Sequence, residues 1–241
     1  MDYNIAGERY NMRVDKNHYI LALDTHDARG GIGIASGREI IGLLLFKSKT
    51  SHTKRLFKSI EFLLNQLELC IAQIGAFAIN RGPGSFTGIR IGISAVKGLA
   101  INRKSKIYPF ETNYILAHSV RQEAKYIATI VDAGRGEVYF KLFEKWNNQL
   151  NAITEHLLLK PIDVMNYVNR GKDDDTILIG TGACKYKELF TMSGFGRIEL
   201  SSPIFPKVML EEIMGSYDSV TNIETLDALY IRKADAEIKK G

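Results

Sequence analysis

Only two cysteines occur in 241 residues, Cys70 and Cys184. They are too few and too far apart for a disulfide framework or a cysteine zinc site. Cys70 closes an apolar helical pattern and reads as packing. The five histidines are His18, His26, His52, His118 and His156. No two have His-x-x-x-His spacing, so no helical turn offers a metal two imidazoles. His52 reads as a solvated residue at a helix start. There is no Gly-x-Ser-x-Gly elbow and no Cys-x-x-Cys pair, which removes two common routes to an activated nucleophile. No apolar run reaches the roughly 20 residues a membrane span requires. Residues 1–17 form a polar extension that carries acids, which argues against a signal or transit peptide. The expectation is a cytoplasmic protein without a membrane partner.

What is present is ordinary for a globular chain: 45% hydrophobic and 24% charged residues, enough for one large core or two modest ones. Net charge is +5. Short basic clusters stand at Arg103-Lys104-Ser105-Lys106 and Lys239-Lys240. No stripe of basic and aromatic residues marks a nucleic-acid face.

Hydrophobic spacing predicts strands at 19–23, 31–35 and 40–46, joined so closely that they form an antiparallel meander. A helix follows over 52–70, with Leu56, Ile60, Leu63 and Leu67 on one face. A strand at 76–79, a helix over about 87–102 and a strand at 107–110 complete a βββαβαβ order. The second half repeats it with strands at 126–131, 137–143 and 153–159, a helix near 161–169, a strand at 176–179 and a helix around 184–190. Further helix is expected at 207–216 and 224–232. Two such halves, each with an acid after its first strand (Asp24, Asp132), describe the duplicated, two-lobed actin/Hsp70/sugar-kinase α/β architecture of ribonuclease-H-like type. The lobes are expected at 18–112 and 113–241.

The densest signal is Arg81-Gly82-Pro83-Gly84-Ser85-Phe86-Thr87-Gly88-Ile89-Arg90-Ile91-Gly92, between a strand and a helix. Glycines and proline there make a bend whose free N–H groups suit an anion or a closely docked backbone. A Walker A loop fails, because Ile89 and Arg90 follow Gly88. A dinucleotide fingerprint fits at Gly82 and Gly84 but has Thr87 in place of its third glycine; Glu111 could be its ribose-binding acid. Gly88, Gly92 and Ala95 fall at +4 and +3 spacing, giving a smooth helix face that suits either intrachain packing or close approach of a partner.

That run, continued by Ala95-Val96-Lys97-Gly98-Leu99-Ala100, resembles the signature of the bacterial TsaB (YeaZ) family. Three other segments agree in order. Ile20-Leu21-Ala22-Leu23-Asp24-Thr25 resembles the family's opening strand. Val131-Asp132-Ala133-Gly134-Arg135-Gly136-Glu137-Val138-Tyr139 resembles its Asp-Ala-Arg-(Arg/Gly)-Gly-Glu-Val-Tyr motif, and Leu229-Tyr230-Ile231-Arg232 its closing segment. The resemblance spans about residues 19–235. It implies the same two-lobed fold and a non-catalytic subunit of the machinery that makes tRNA threonylcarbamoyladenosine (t6A) beside the anticodon. It further implies pairing with TsaD, which transfers the threonylcarbamoyl group, and docking of the ATPase TsaE. A homodimer in isolation, tRNA reached indirectly through the complex, no tightly bound cofactor, and ATP or ADP met at the complex interface also follow from it. The partner-binding residues it implies are Gly82, Pro83, Gly84, Ser85, Phe86, Thr87, Gly88, Arg90, Gly92 and Ala95. The histidine pair by which TsaD binds its metal has no counterpart here.

The acids leave alternatives open. Asp24, Thr25, Asp132, Gly180 and Gly182 stand where this architecture places a nucleotide cleft, and as easily form ordinary turns. The family often reads Asp-Thr-Ser where this chain has Asp24-Thr25-His26, which weakens a phosphate loop there. An ATP-dependent kinase would use the two acids. An NAD-dependent dehydrogenase would be built on residues 82–111.

Overall fold

The computed structural model describes residues 19–47, 52–147, 149–168, 175–200, 202–215 and 217–232. The polar extension at 1–17 and Lys239-Lys240 lie outside them. The first half folds as β1 (Tyr19–Asp24), β2 (Arg29–Ser36), β3 (Glu39–Lys47), α1 (His52–Gln66), β4 (Ile74–Asn80), α2 (Phe86–Ala100) and β5 (Lys106–Phe110), with α3 (Thr112–Ser119) leading out. The second folds as β6 (Tyr126–Gly134), β7 (Glu137–Trp146), β8 (Gln149–Ala152), β9 (Leu157–Leu159), α4 (Met165–Val168), β10 (Thr176–Ile179), α5 (Thr181–Lys185), α6 (Lys187–Met192), β11 (Ile198–Glu199) and α7 (Phe205–Met214).

The sheet orders carry the duplication. The first sheet runs β3-β2-β1-β4-β5 and the second β11-β10-β6-β7-β8, with β9 also on β7. Each is an antiparallel meander continued by two parallel strands. This is the expected ribonuclease-H-like arrangement of the actin/Hsp70/sugar-kinase fold.

Local chemistry explains the elements. β4 is apolar almost throughout and buried from Ala76 to Asn80, as a parallel strand covered on both faces must be. Ser85 caps α2 by accepting from the Gly88 amide, which meets one of the helix's unpaired N–H groups. Ile89, Ile93, Val96 and Ala100 then put one face of α2 into the core of the first lobe.

Three cores result. One lies under α1 and α2, one inside the second sheet, and the third joins the lobes. In the joining core Ala22, Ala78 and Phe110 meet Ile127, Val131, Phe205 and Met209. Each fully buried large side chain there contributes about 1.5–3 kcal/mol. Pro206 and Leu210 of α7 reach across to Gly31 and Gly33 of β2.

Several expected elements differ. The strand expected at 153–159 is reduced to β9 at its far end, with β8 standing before it; in the irregular stretch between them the Thr154 hydroxyl accepts from the Leu142 amide. The helix at 184–190 is two short pieces broken at Tyr186. No helix forms at 224–232. Asn222 instead accepts the Glu224 and Thr225 amides, and Leu226 plugs into the first-lobe core. The Leu229 amide donates to the Arg81 carbonyl. Residues 226–230 therefore lie against the first lobe, while Arg232 pairs with Glu137 of the second. Cys70 is exposed, not packed.

Candidate functional site: the interlobe cleft and its glycine loop

A cleft of about 1090 Å³ opens between the lobes. The glycine loop and the start of α2 form one wall, the β6–β7 turn with Asp132 and Thr181 another, and residues 228–232 a third.

The loop is a joint between backbones. Ser85 donates its amide to the His26 carbonyl at 2.7 Å, and Gly82 donates its amide to Asn80 Oδ1 at 3.0 Å. The Gly82 carbonyl accepts from the Thr112 amide at 2.7 Å. Gly82 adopts φ +110°, open to glycine at little cost. The Thr25 hydroxyl donates to the Gly88 carbonyl at 2.7 Å. N–H groups that a phosphate cradle would use at Gly82, Ser85 and Gly88 are taken up within the chain.

This placement corrects part of the expected partner surface. Gly88, Gly92 and Ala95 are buried. A Cβ on Gly88 would stand 2.0 Å from the Thr25 carbonyl oxygen, and one on Gly92 2.5 Å from the Thr25 hydroxyl. The small residues admit the β1–β2 turn, so that face is internal packing. Gly82 and Pro83 are buried, while Ser85, Phe86, Thr87 and Arg90 are exposed. The Arg90 guanidinium lies over Phe86 at 4.0 Å and donates to the Tyr230 hydroxyl at 2.9 Å.

The two acids do not face each other across an open site. Asp24 is 3% exposed. His26 Nδ1 lies 2.8 and 3.0 Å from its two oxygens, and Asn80 donates to Oδ1 at 3.0 Å. Asn80 in turn accepts from the Thr112 hydroxyl. His26 stacks on Phe205 of α7 at 4.2 Å. Burial works against its charge, yet the Asp24 carboxylate raises its pKa above the ordinary value. Asp132 does reach the cleft, but Lys185 donates to both its oxygens at 3.0 and 2.8 Å. Gly180 and Gly182 are buried against Ile130 and let α5 start close on β6. Among the described residues no three His, Cys, Asp or Glu side chains converge on a metal position.

Sequence reasoning missed a second polar cluster at the lobe boundary. Glu111 accepts from Arg81 at 2.9 Å, from Lys141 at 3.3 Å and from His156 at 2.9 Å. Its carboxylate already has these partners, which leaves it poorly placed to bind a ribose. The hydrogen bond from His156 holds its pKa down to about 2, with Arg81 and Lys141 acting the same way against the opposing cost of burial. A depressed carboxylate pKa stabilises the fold above its unfolded value and loses that contribution as pH falls toward the folded one. Wild-type stability should therefore decline between about pH 4.5 and pH 2. Glu111→Gln should cost about 1–2 kcal/mol at neutral pH, after solvent screening of this partly exposed group, and flatten the decline. Denaturant titrations across that range check it; a variant with the wild-type slope would remove Glu111 from the account.

Known proteins resemble this chain in sequence and in fold. Residues 46–238 match the family profile described as TsaD: tRNA N6-adenosine threonylcarbamoyltransferase. The chain is 26% identical to the tRNA threonylcarbamoyladenosine biosynthesis protein TsaB of Bacillus subtilis (strain 168), over 91% of this chain and 96% of the relative. It is 27% identical to the protein of the same name from Haemophilus influenzae, over 78% of this chain and 82% of the relative. The solved structure of YeaZ from Pseudomonas aeruginosa superimposes with a TM-score of 0.74 over 88% of this chain and 99% of that one, at 23% identity. No helix among the described residues is long and apolar enough to cross a membrane. By its profile, its relatives and its duplicated fold, the chain belongs to the TsaD family and, within it, to the TsaB/YeaZ group of tRNA threonylcarbamoyladenosine biosynthesis proteins.

Proposed function

We propose that this chain is a non-catalytic subunit of the t6A machinery that pairs with TsaD, with TsaE docking on the pair and tRNA modified by the complex. The observation that carries this reading is the sequestration of Asp24. A kinase of this architecture needs that carboxylate turned to a metal-bound nucleotide, and here it is buried under His26 and Asn80. The pairing surface is the outward side of α2, where Thr87, Arg90, Ser94, Gly98 and Ile101 are exposed along one stripe. A Cβ at Gly98 would meet nothing within 4 Å, so a partner helix can approach there closely. ATP or ADP is met at the interface of the complex and does not bind tightly to this subunit alone.

The test is genetic and biochemical together. In cells depleted of their own TsaB, this chain supplied with its cognate TsaD and TsaE should restore t6A, read by mass spectrometry of tRNA nucleosides. The purified chain alone should give background ATP turnover and background transfer. Robust turnover by the lone chain, abolished by Asp24→Ala, would overturn the reading in favour of the kinase.

A further inference from the structure

Arg29 and Lys47 are cross-strand partners in the β2–β3 ladder. Period-two alternation puts both on the α7 side of the sheet, the side on which Gly31 and Leu45 stand against Pro206. Arg55, in the first turn of α1, which covers the opposite face of the sheet, donates to the Lys47 carbonyl at the end of the edge strand. Lys54 and Lys58 lie one turn apart on the same helix. All five are exposed, and among the described residues none makes an ion pair. Asp27, the acid nearest Arg29 in sequence, turns its carboxylate to the Ala28 amide. Like charges directly opposite on an antiparallel pair destabilise the ladder, so this edge holds a repulsion that a bound anion would relieve. Phe57, 44% exposed, sits between Arg55 and Lys58 in the sequence.

We propose that this edge of the first lobe is a phosphate track for RNA, on which Arg29, Lys47 and Arg55 neutralise backbone phosphates. Arg29 comes from 18 residues before Lys47 and Arg55 from 8 residues after it. That the RNA is the tRNA being modified rests on the t6A reading. The contacts position the nucleic acid without reading its bases, and each neutralised phosphate releases counterions, steepening the salt dependence of binding.

The test titrates an unmodified tRNA transcript that reads a codon beginning with A against the complex of this chain with TsaD, between about 50 and 200 mM salt. The triple variant Arg29→Ala/Lys47→Ala/Arg55→Ala should bind at least tenfold more weakly and lower the slope of log K against log salt by about 2 to 3. The charge-preserving Arg29→Lys/Lys47→Arg variant should keep the wild-type slope. Arg103→Ala/Lys104→Ala/Lys106→Ala, an equal loss of charge elsewhere, should leave it unchanged. An unaltered slope in the first triple, or equal losses in both triples, would overturn the track. So would lost TsaD or TsaE binding with RNA affinity intact, which would make the patch a protein interface. Scoring t6A formation by the wild-type complex separates the two failures. A complex that makes t6A while the slope stays unaltered sinks the track alone, and a complex that makes none sinks the subunit reading.

Discussion

Gly88→Ala should destabilise the protein by about 3 kcal/mol or more, a change of one methyl group on an ordinary helix. Alanine would normally stabilise a helix interior relative to glycine by about 1 kcal/mol. At this position the new carbon would lie 2.0 Å from the Thr25 carbonyl oxygen, and the obstacle is backbone, with no side-chain end that could rotate away. Relief requires α2 to move off β1, which also breaks the 2.7 Å bond from the Thr25 hydroxyl to the Gly88 carbonyl. Gly98→Ala on the same helix is the control. It meets open space, so the helix-propensity gain of up to about 1 kcal/mol should be expressed. Denaturant unfolding of the two variants should thus show opposite signs. If Gly88→Ala unfolds within about 1 kcal/mol of wild type, the close docking of α2 on the β1–β2 turn is wrong.

That contrast shows which features a sequence carries. The two βββαβαβ halves were legible because their signals are local: the close connections between the short apolar runs of β1 to β3, the apolar run of β4, the helical spacing of α1 and α2. The glycine loop was legible as a bend for the same reason. The partners of a side chain were not. Nothing near His26 announces that it will clamp Asp24, because Asn80 and Phe205 complete that arrangement from 54 and 179 positions away. Glu111, Lys141 and His156 likewise meet only when the lobes close on each other. The same limit explains the misplaced partner face. A row of small residues says that something approaches closely, and only the fold says that it is Thr25 of the same chain. The irregular stretch after Asn222 shows the opposite case, where capping hydrogen bonds and one buried leucine overrode an apparent helical spacing.

Arginine on the outward face of α2 should abolish pairing with TsaD without unfolding the chain. Ser94 and Gly98 are exposed, one turn apart, on the side opposite the buried Ile93 and Val96. Neither therefore has a fold-stabilising contact to lose, and melting of Ser94→Arg/Gly98→Arg should stay close to wild type. In a close helix–helix contact the same substitution would insert two long cations where backbones meet, leaving charges desolvated and unpaired. Affinity for TsaD, followed by calorimetry or by co-elution on a sizing column, should fall at least about 100-fold, equivalent to about 2.7 kcal/mol. Gly92→Leu should behave in the reverse way, losing stability first, since its side chain would strike Thr25 and Ile79 inside the lobe. The two variants together divide α2 into a face that belongs to the fold and a face that belongs to the complex. Pairing that survives the double arginine variant within about threefold would move the partner surface off α2, while the internal role of Gly92 would stand on its own evidence of stability.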